Sequence, residues 1–255
     1  LYNLVTIINQ KAKGVPLRRL LALIFIICAS QILNAKPTFT EYTAKLLSVE
    51  GRFATVKDSP DIYIGSSGIV THAFDASTQT IVARVEVVEK KDGIAKLKFN
   101  VYKDLSQQAF PLPGILPQKD DKVILNYLYD RSLIVAPNFK VYKEITHHFK
   151  DIQWVHPDLM GAYLAREYKP NPNREDFQRM CALNATSLIF FALDYHGYFV
   201  DCHDFKIIKK FKSARIKRVQ LPFFTRVPDI ESSWFNWGSG TISDYTGHYE
   251  SLIRN

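Results

Sequence analysis

The residues of this sequence best suited to chemistry are six of its seven histidines, a cysteine between two acids, and a run of lysines. His147, His148, His156, His196, His203 and His248 have no pair at metal-ligand spacing on a helix, and no Gly-x-Ser-x-Gly, His-Glu-x-x-His or phosphate-cradling glycine loop accompanies them. In Asp201-Cys202-His203-Asp204 the flanking acids raise rather than lower a thiol pKa, the wrong direction for a nucleophile. No set of acid, base and nucleophile emerges, so neither an enzyme nor a bound cofactor or metal is expected. The basic run Lys206, Lys209, Lys210, Lys212, Arg215, Lys217 and Arg218 is the densest charge feature. It suits a phosphate-rich surface or a receptor that captures ammonium groups. The plainer reading is a solvated strand end, with Phe205, Ile207 and Phe211 facing a core between the lysines. As ligand-binding candidates we take Lys206, Lys209, Lys210, Lys212 and Lys217. Trp234-Phe235-Asn236-Trp237-Gly238 is either a recognition patch or the closure of its own core. Asn184-Ala185-Thr186 matches a glycosylation sequon beside a buried strand, a chance match.

The elements that position these groups begin beyond residue 35. Residues 1–35 read as a signal peptide region: Arg18-Arg19, an apolar run from Leu20 to Cys28, and a small residue at Ala35 where cleavage is expected. The run is short for a membrane span, which takes about 20 residues. An uncleaved anchor is the alternative, and the one route by which a membrane enters. Cys28 as a lipid-attachment site is disfavoured by the bulky Ile27, and Val15 is a plausible true start. The net charge is +8, but Lys11, Lys13, Arg18 and Arg19 all lie in this acid-free region, leaving +4 for the rest. That is too mild to argue for nucleic acid. Export makes Cys181 and Cys202 readable as a disulfide, stabilising by about 3 kcal/mol in the chain-entropy model. Zinc held with His203 and His196 is the rival, and it lacks the usual ligand spacing.

A chain of 255 residues, 47% hydrophobic, has room for one large domain or two ordinary ones. The pattern predicts α+β. A small β-barrel-like module over 36–137 precedes an α+β domain over 138–255, with helices on a short three-stranded sheet. In the first part, residues 44–56 alternate across Glu50-Gly51, Ile62-Tyr63-Ile64 and Ile69-Val70 flank a turn cluster, and Asp92-Gly93 joins the clearest hairpin. Pro111, Pro113, Gly114 and Pro117 mark a loop, and residues 123–129 and 132–136 read as a further hairpin. Helices follow at 139–149 with Asn138 as cap, from Pro157 to about Tyr168, and at 174–183. A short strand at 152–155 falls between the first two, and a short helix is expected within 244–253. The continuous apolar run 188–193 predicts a strand buried on both faces. The alternating run 198–205 predicts one nearer an edge, with Gly197 at a positive φ in the turn.

Pro222-Phe223-Phe224-Thr225-Arg226-Val227, Leu133-Ile134-Val135-Ala136-Pro137-Asn138 and the Cys181/Cys202 pair between them carry a resemblance. From about Ile62 to Ile253 the sequence resembles the N-terminal domains of the plasminogen-binding protein A family of Gram-negative bacteria. The resemblance implies exposure at the cell surface and capture of host plasminogen, with lysine side chains entering kringle pockets. It brings no catalytic residue and no single binding lysine. Members of that family carry a long Lys/Glu-rich tail not found within these residues, so the lysines on offer here are internal. The competing expectation is an envelope module that packs another envelope protein through its barrel or through Trp234–Trp237.

Overall fold

The computed structural model describes residues 38–75, 77–101, 114–228, 230 and 242–253. The expected signal peptide region 1–35, the prolines at 111 and 113 and the aromatic stretch 234–238 lie outside them. The first part builds β1 (Tyr42–Lys45), β2 (Ser48–Glu50), β3 (Phe53–Lys57), β4 (Ser67–Ala73), β5 (Gln79–Lys91), β6 (Ile94–Asn100) and β7 (Lys122–Leu125). They form one antiparallel sheet in the order β1-β7-β4-β5-β6-β3-β2. Its two edge strands are consecutive in the chain, joined only by Leu46 and Leu47, so the sheet must curl until its edges approach. Leu46 N–H donates to the Asp121 carbonyl at one edge (2.9 Å) and Leu47 N–H to Thr55 at the other (2.8 Å). Every second side chain points into the resulting half-barrel, where Val56, Val70, Val85, Val87, Leu97 and Val123 are fully buried. The β5–β6 hairpin turns at Asp92 and Gly93, both at positive φ, as a two-residue turn of this hand requires.

The second sheet contains β8 (Arg131–Val135), β9 (Gln153–Trp154), β10 (Leu188–Leu193), β11 (His196–Asp201) and β12 (Ile207–Lys212). Its order is β12-β11-β10-β8-β9, with β8 parallel to both neighbours. Five strands, not three, therefore carry the helices. The expected hairpin of 123–129 with 132–136 does not form. Asn126 and Leu128 take positive φ, the chain turns away, and β8 pairs with β10, Leu133 opposite Ile189. The reason is composition: Ser132 to Val135 is buried on both faces, which suits the interior of a covered sheet. Ile62-Tyr63-Ile64 is turn rather than strand.

Helices α1 (Phe139–His148), α2 (Pro157–Arg166), α3 (Arg174–Leu183) and α4 (Tyr245–Leu252) complete the fold. Their N-terminal N–H groups are capped by Asn138, His156, Asn173 and Asp244. β10 is buried along its whole length. Its Ile189, Phe191 and Leu193 meet Leu164 of α2, Phe177 of α3 and Tyr249 of α4. Its Leu188, Phe190 and Ala192 face α1 and Phe39. β11 lies between the central β10 and the edge strand β12, one strand in from the edge and nearer to it than β10, as its alternation implied. Gly197 sits within β11 opposite Ala192, where a Cβ would fall 2.7 Å from the Phe190 ring. The positive φ of that turn belongs to Tyr195 (61°). Cys181 in α3 is paired with Cys202 just past β11, Cα atoms 6.4 Å apart. Among the described residues no helix is long and apolar enough to cross a membrane.

Candidate functional site

Beyond Lys212 the chain leaves β12 and crosses the end of the second sheet as a strap, residues 213–220. It is fixed at both ends. Ser213 N–H donates to the Tyr195 carbonyl (2.8 Å) and Ile216 N–H to Asp194 Oδ1 (2.7 Å). At the far end Asn138 Nδ2 donates to the Arg218 carbonyl (2.8 Å), and Gln220 N–H to that of Pro137 (2.7 Å). Asn138 thus caps α1 through its oxygen (3.0 Å from Val141 N) and holds the strap through its nitrogen.

Between strap and α1 lies a groove of about 1090 Å³. Its floor is apolar, made by Ile145, Phe149, Phe190 and Phe211. Its rim is cationic: Lys140 on the α1 wall, and Lys212 at the end of β12 with Arg215, Lys217 and Arg218 along the strap. Glu144 is the one carboxylate among the lining residues, and its pairing with Lys140 (3.8 Å) is solvent-exposed, worth about 0.5 kcal/mol at most. α1 carries an apolar stripe, Val141, Tyr142, Ile145 and the following Phe149, yet none of its side chains is fully buried. The inner face of the helix stands half open onto the groove.

The five candidate lysines part company here. Lys206 is half-buried and ion-paired to Glu86 of β5. Lys209 donates to the Thr38 carbonyl and lies over the rings of Phe39 and Tyr63, 4.5 and 4.9 Å from their centres. Both tie the second sheet to the first part of the chain. Lys210 is exposed, its ammonium 5.3 Å from the centre of the Tyr198 ring. Lys212 and Lys217 are exposed on the groove rim. The groove went unseen in the sequence. The α1 stripe was its one visible sign, but a stripe does not say how completely it will be covered.

The motifs at 133–138 and 222–227 meet in space and frame this site. Phe224 N–H donates to the Ala136 carbonyl (2.7 Å), and the Phe224 ring packs on Phe139 and Tyr142 of α1. Thr225 and Arg226 close on Asp158 at the start of α2: Thr225 Oγ1 at 3.0 Å, Arg226 N at 2.8 Å and Arg226 Nε at 2.6 Å. Burial would raise the Asp158 carboxyl, but these donors outweigh it and hold it below its ordinary range. A Cβ on Gly161 would strike Thr225 Oγ1 at 2.5 Å, so a side chain there would push this block off α2.

A second concentration of ionisable groups is buried where β4 and β5 meet β11. Asp201, wholly buried, accepts from Ser67 Oγ, from Tyr129 OH (2.7 Å), from Arg84 (3.0 Å) and from His203 N–H (2.9 Å). Burial pushes its carboxyl up, but Arg84 above all reverses that and holds it low. Asp204 fares otherwise. Its oxygens are buried with no hydrogen-bond donor among the described residues, and Arg84 is 3.8 Å away. Burial, then the charge of Asp201, push it up to about 7. A cavity of about 230 Å³ opens beside Arg84, His203 and Cys181. The histidines remain apart. His156 caps α2, His248 bonds the Pro172 carbonyl, and no three metal-ligating side chains gather among the described residues.

Fold and groove together define a class: an α+β module that presents a pinned, apolar cleft with a predominantly cationic rim. The family described as plasminogen-binding protein PgbA, N-terminal, matches residues 41–253, and the chain belongs to that family. Two curated relatives bear the name plasminogen-binding protein PgbA, from Helicobacter pylori strains 26695 and J99; each is 21% identical to this chain over 198 residues. The match covers 76% of this chain and 43% of each relative, so the chain spans under half their length.

Proposed function

We propose that this chain is an exported, non-catalytic binding module that captures plasminogen, or a host protein like it, through exposed ammonium groups. Membership of the family and the printed name of the relatives support the choice of partner. The observation that carries the mechanism is that Lys210, Lys212 and Lys217 stand exposed on a fixed scaffold, free to enter an anionic, aromatic pocket on a partner. Lys206 and Lys209 are engaged within the fold and play a structural part. The Cys181–Cys202 pair supports export, since such bonds persist in oxidising compartments.

The test is plasminogen binding to the immobilised chain, with and without a free lysine analogue. Binding should fall with the analogue and in a Lys210→Ala, Lys212→Ala, Lys217→Ala variant of unchanged stability. Binding indifferent to both would reject capture through lysines. Protease shaving of intact cells bears on location: a surface module is cut, whereas an envelope module in the periplasm survives.

A further inference from the structure

We propose that the groove between α1 and the strap receives an acidic, amphipathic peptide segment of a partner protein, apolar side chains on the floor and carboxylates along the rim. This deepens the binding reading above, on which it rests for the claim that the partner is a protein. The α1 stripe is left half open although the helix is amphipathic, so an occupant would complete a burial that the fold itself leaves unfinished. Floor rings from three elements, Phe149, Phe190 and Phe211, offer the apolar contact that anchors peptide side chains.

Charge selects the occupant. Lys140 stands on one wall and Lys212, Arg215, Lys217 and Arg218 on the other, against a single Glu144. Four cations spread along the β12 and strap wall suit several carboxylates spaced along a chain. A single-headed amphiphile would satisfy one end and leave the others facing each other. The strap is pinned by hydrogen bonds at both ends, so the groove is formed before the ligand arrives and little ordering is left for binding to overcome.

The experiment is an anisotropy titration of the purified chain with a labelled synthetic helix, Leu and Phe on one face and Glu on the other. The controls are the same peptide with Lys for Glu, and dodecanoate as competitor. The acidic peptide should bind, more weakly as salt rises, and the basic peptide should not. Lys212→Glu with Lys217→Glu should weaken binding roughly tenfold or more. Ile145→Glu should do the same, whereas Lys45→Glu, on an exposed position of β1 outside the groove, should leave it unchanged. Should Ile145→Glu fail to fold, the rim variant decides alone, since both its positions are exposed. Equal binding of both peptides, or equal harm from Lys45→Glu, would overturn the proposal. So would dodecanoate binding where the acidic peptide does not. Plasminogen is run in parallel. Analogue-sensitive plasminogen capture without peptide binding sinks this inference alone, and peptide binding with analogue-insensitive capture sinks lysine capture alone.

Discussion

Asp204 is a carboxyl buried without a donor among the described residues, and it makes stability depend on pH in an unusual direction. The folded chain keeps its proton from the ordinary value, 3.8, up to about 7, while the unfolded chain has already lost it. The folded state therefore binds the extra proton, and stability falls as pH rises through that window, then levels off. Asp201 is shifted the other way, so its contribution is lost only as pH falls below the ordinary carboxylate range. We expect a higher melting temperature at pH 5 than at pH 7.5, and Asp204→Asn should flatten that slope while stabilising the neutral protein. An Asn variant with the parent's slope would place the proton elsewhere. The lysines divide by the same logic of burial. Removing Lys206 leaves Glu86, 8% exposed, without its partner, and Lys206→Ala should cost about 1–3 kcal/mol in urea unfolding. Lys212→Ala and Lys217→Ala, both on exposed positions, should change stability by about 0.5 kcal/mol or less.

Elements were legible in the sequence where the cause of their structure is local. Asp92-Gly93 sets the β5–β6 turn, Asn138 and Asp244 cap α1 and α4, and the unbroken apolar run at 188–193 forms a strand buried on both faces. The largest misreading concerns partners distant in the chain. β8 was assigned to the hairpin beside it because its true neighbour, β10, begins at Leu188, opposite Ser132. Alternation placed β11 near an edge, where it lies, but did not show that Asp201 is buried, because its partners Ser67 and Arg84 come from the other sheet. Alternation shows that the β12 lysines point two ways. It does not show that Phe39 and Tyr63 wait beneath Lys209. The disulfide ties α3 to the end of β11, two elements already joined by Gln178 Nε2 of α3, which donates to the His203 carbonyl. Cys181→Ala with Cys202→Ala should therefore cost about 3 kcal/mol without changing the fold, read by denaturation with circular dichroism. Thiol titration of the unreduced parent should find neither cysteine free, and two free thiols would remove the basis for this prediction.

At the scale of the whole molecule, the question is whether 36–137 and 138–255 fold as two domains or one. Covalent order favours two, but the buried charges argue for one. Arg84 of β5 and Ser67 of β4 both bond Asp201 of β11, Lys206 reaches back to Glu86, and Phe39 packs edge-on against Tyr129 and Phe199. Separating the sheets would expose or strand each of these groups, and a buried ion stripped of its partner costs about 3–5 kcal/mol. We therefore expect one cooperative transition. All three tryptophans, Trp154, Trp234 and Trp237, lie in the second part, so fluorescence follows that part alone while calorimetry follows the whole chain. The two midpoints should coincide. Arg84→Ala, a change in the first part, should then lower the fluorescence midpoint by on the order of 10 °C. If fluorescence ignores Arg84→Ala and calorimetry resolves two peaks, the two parts are independent domains. The polar junction would then be a docking surface between them, not a shared core.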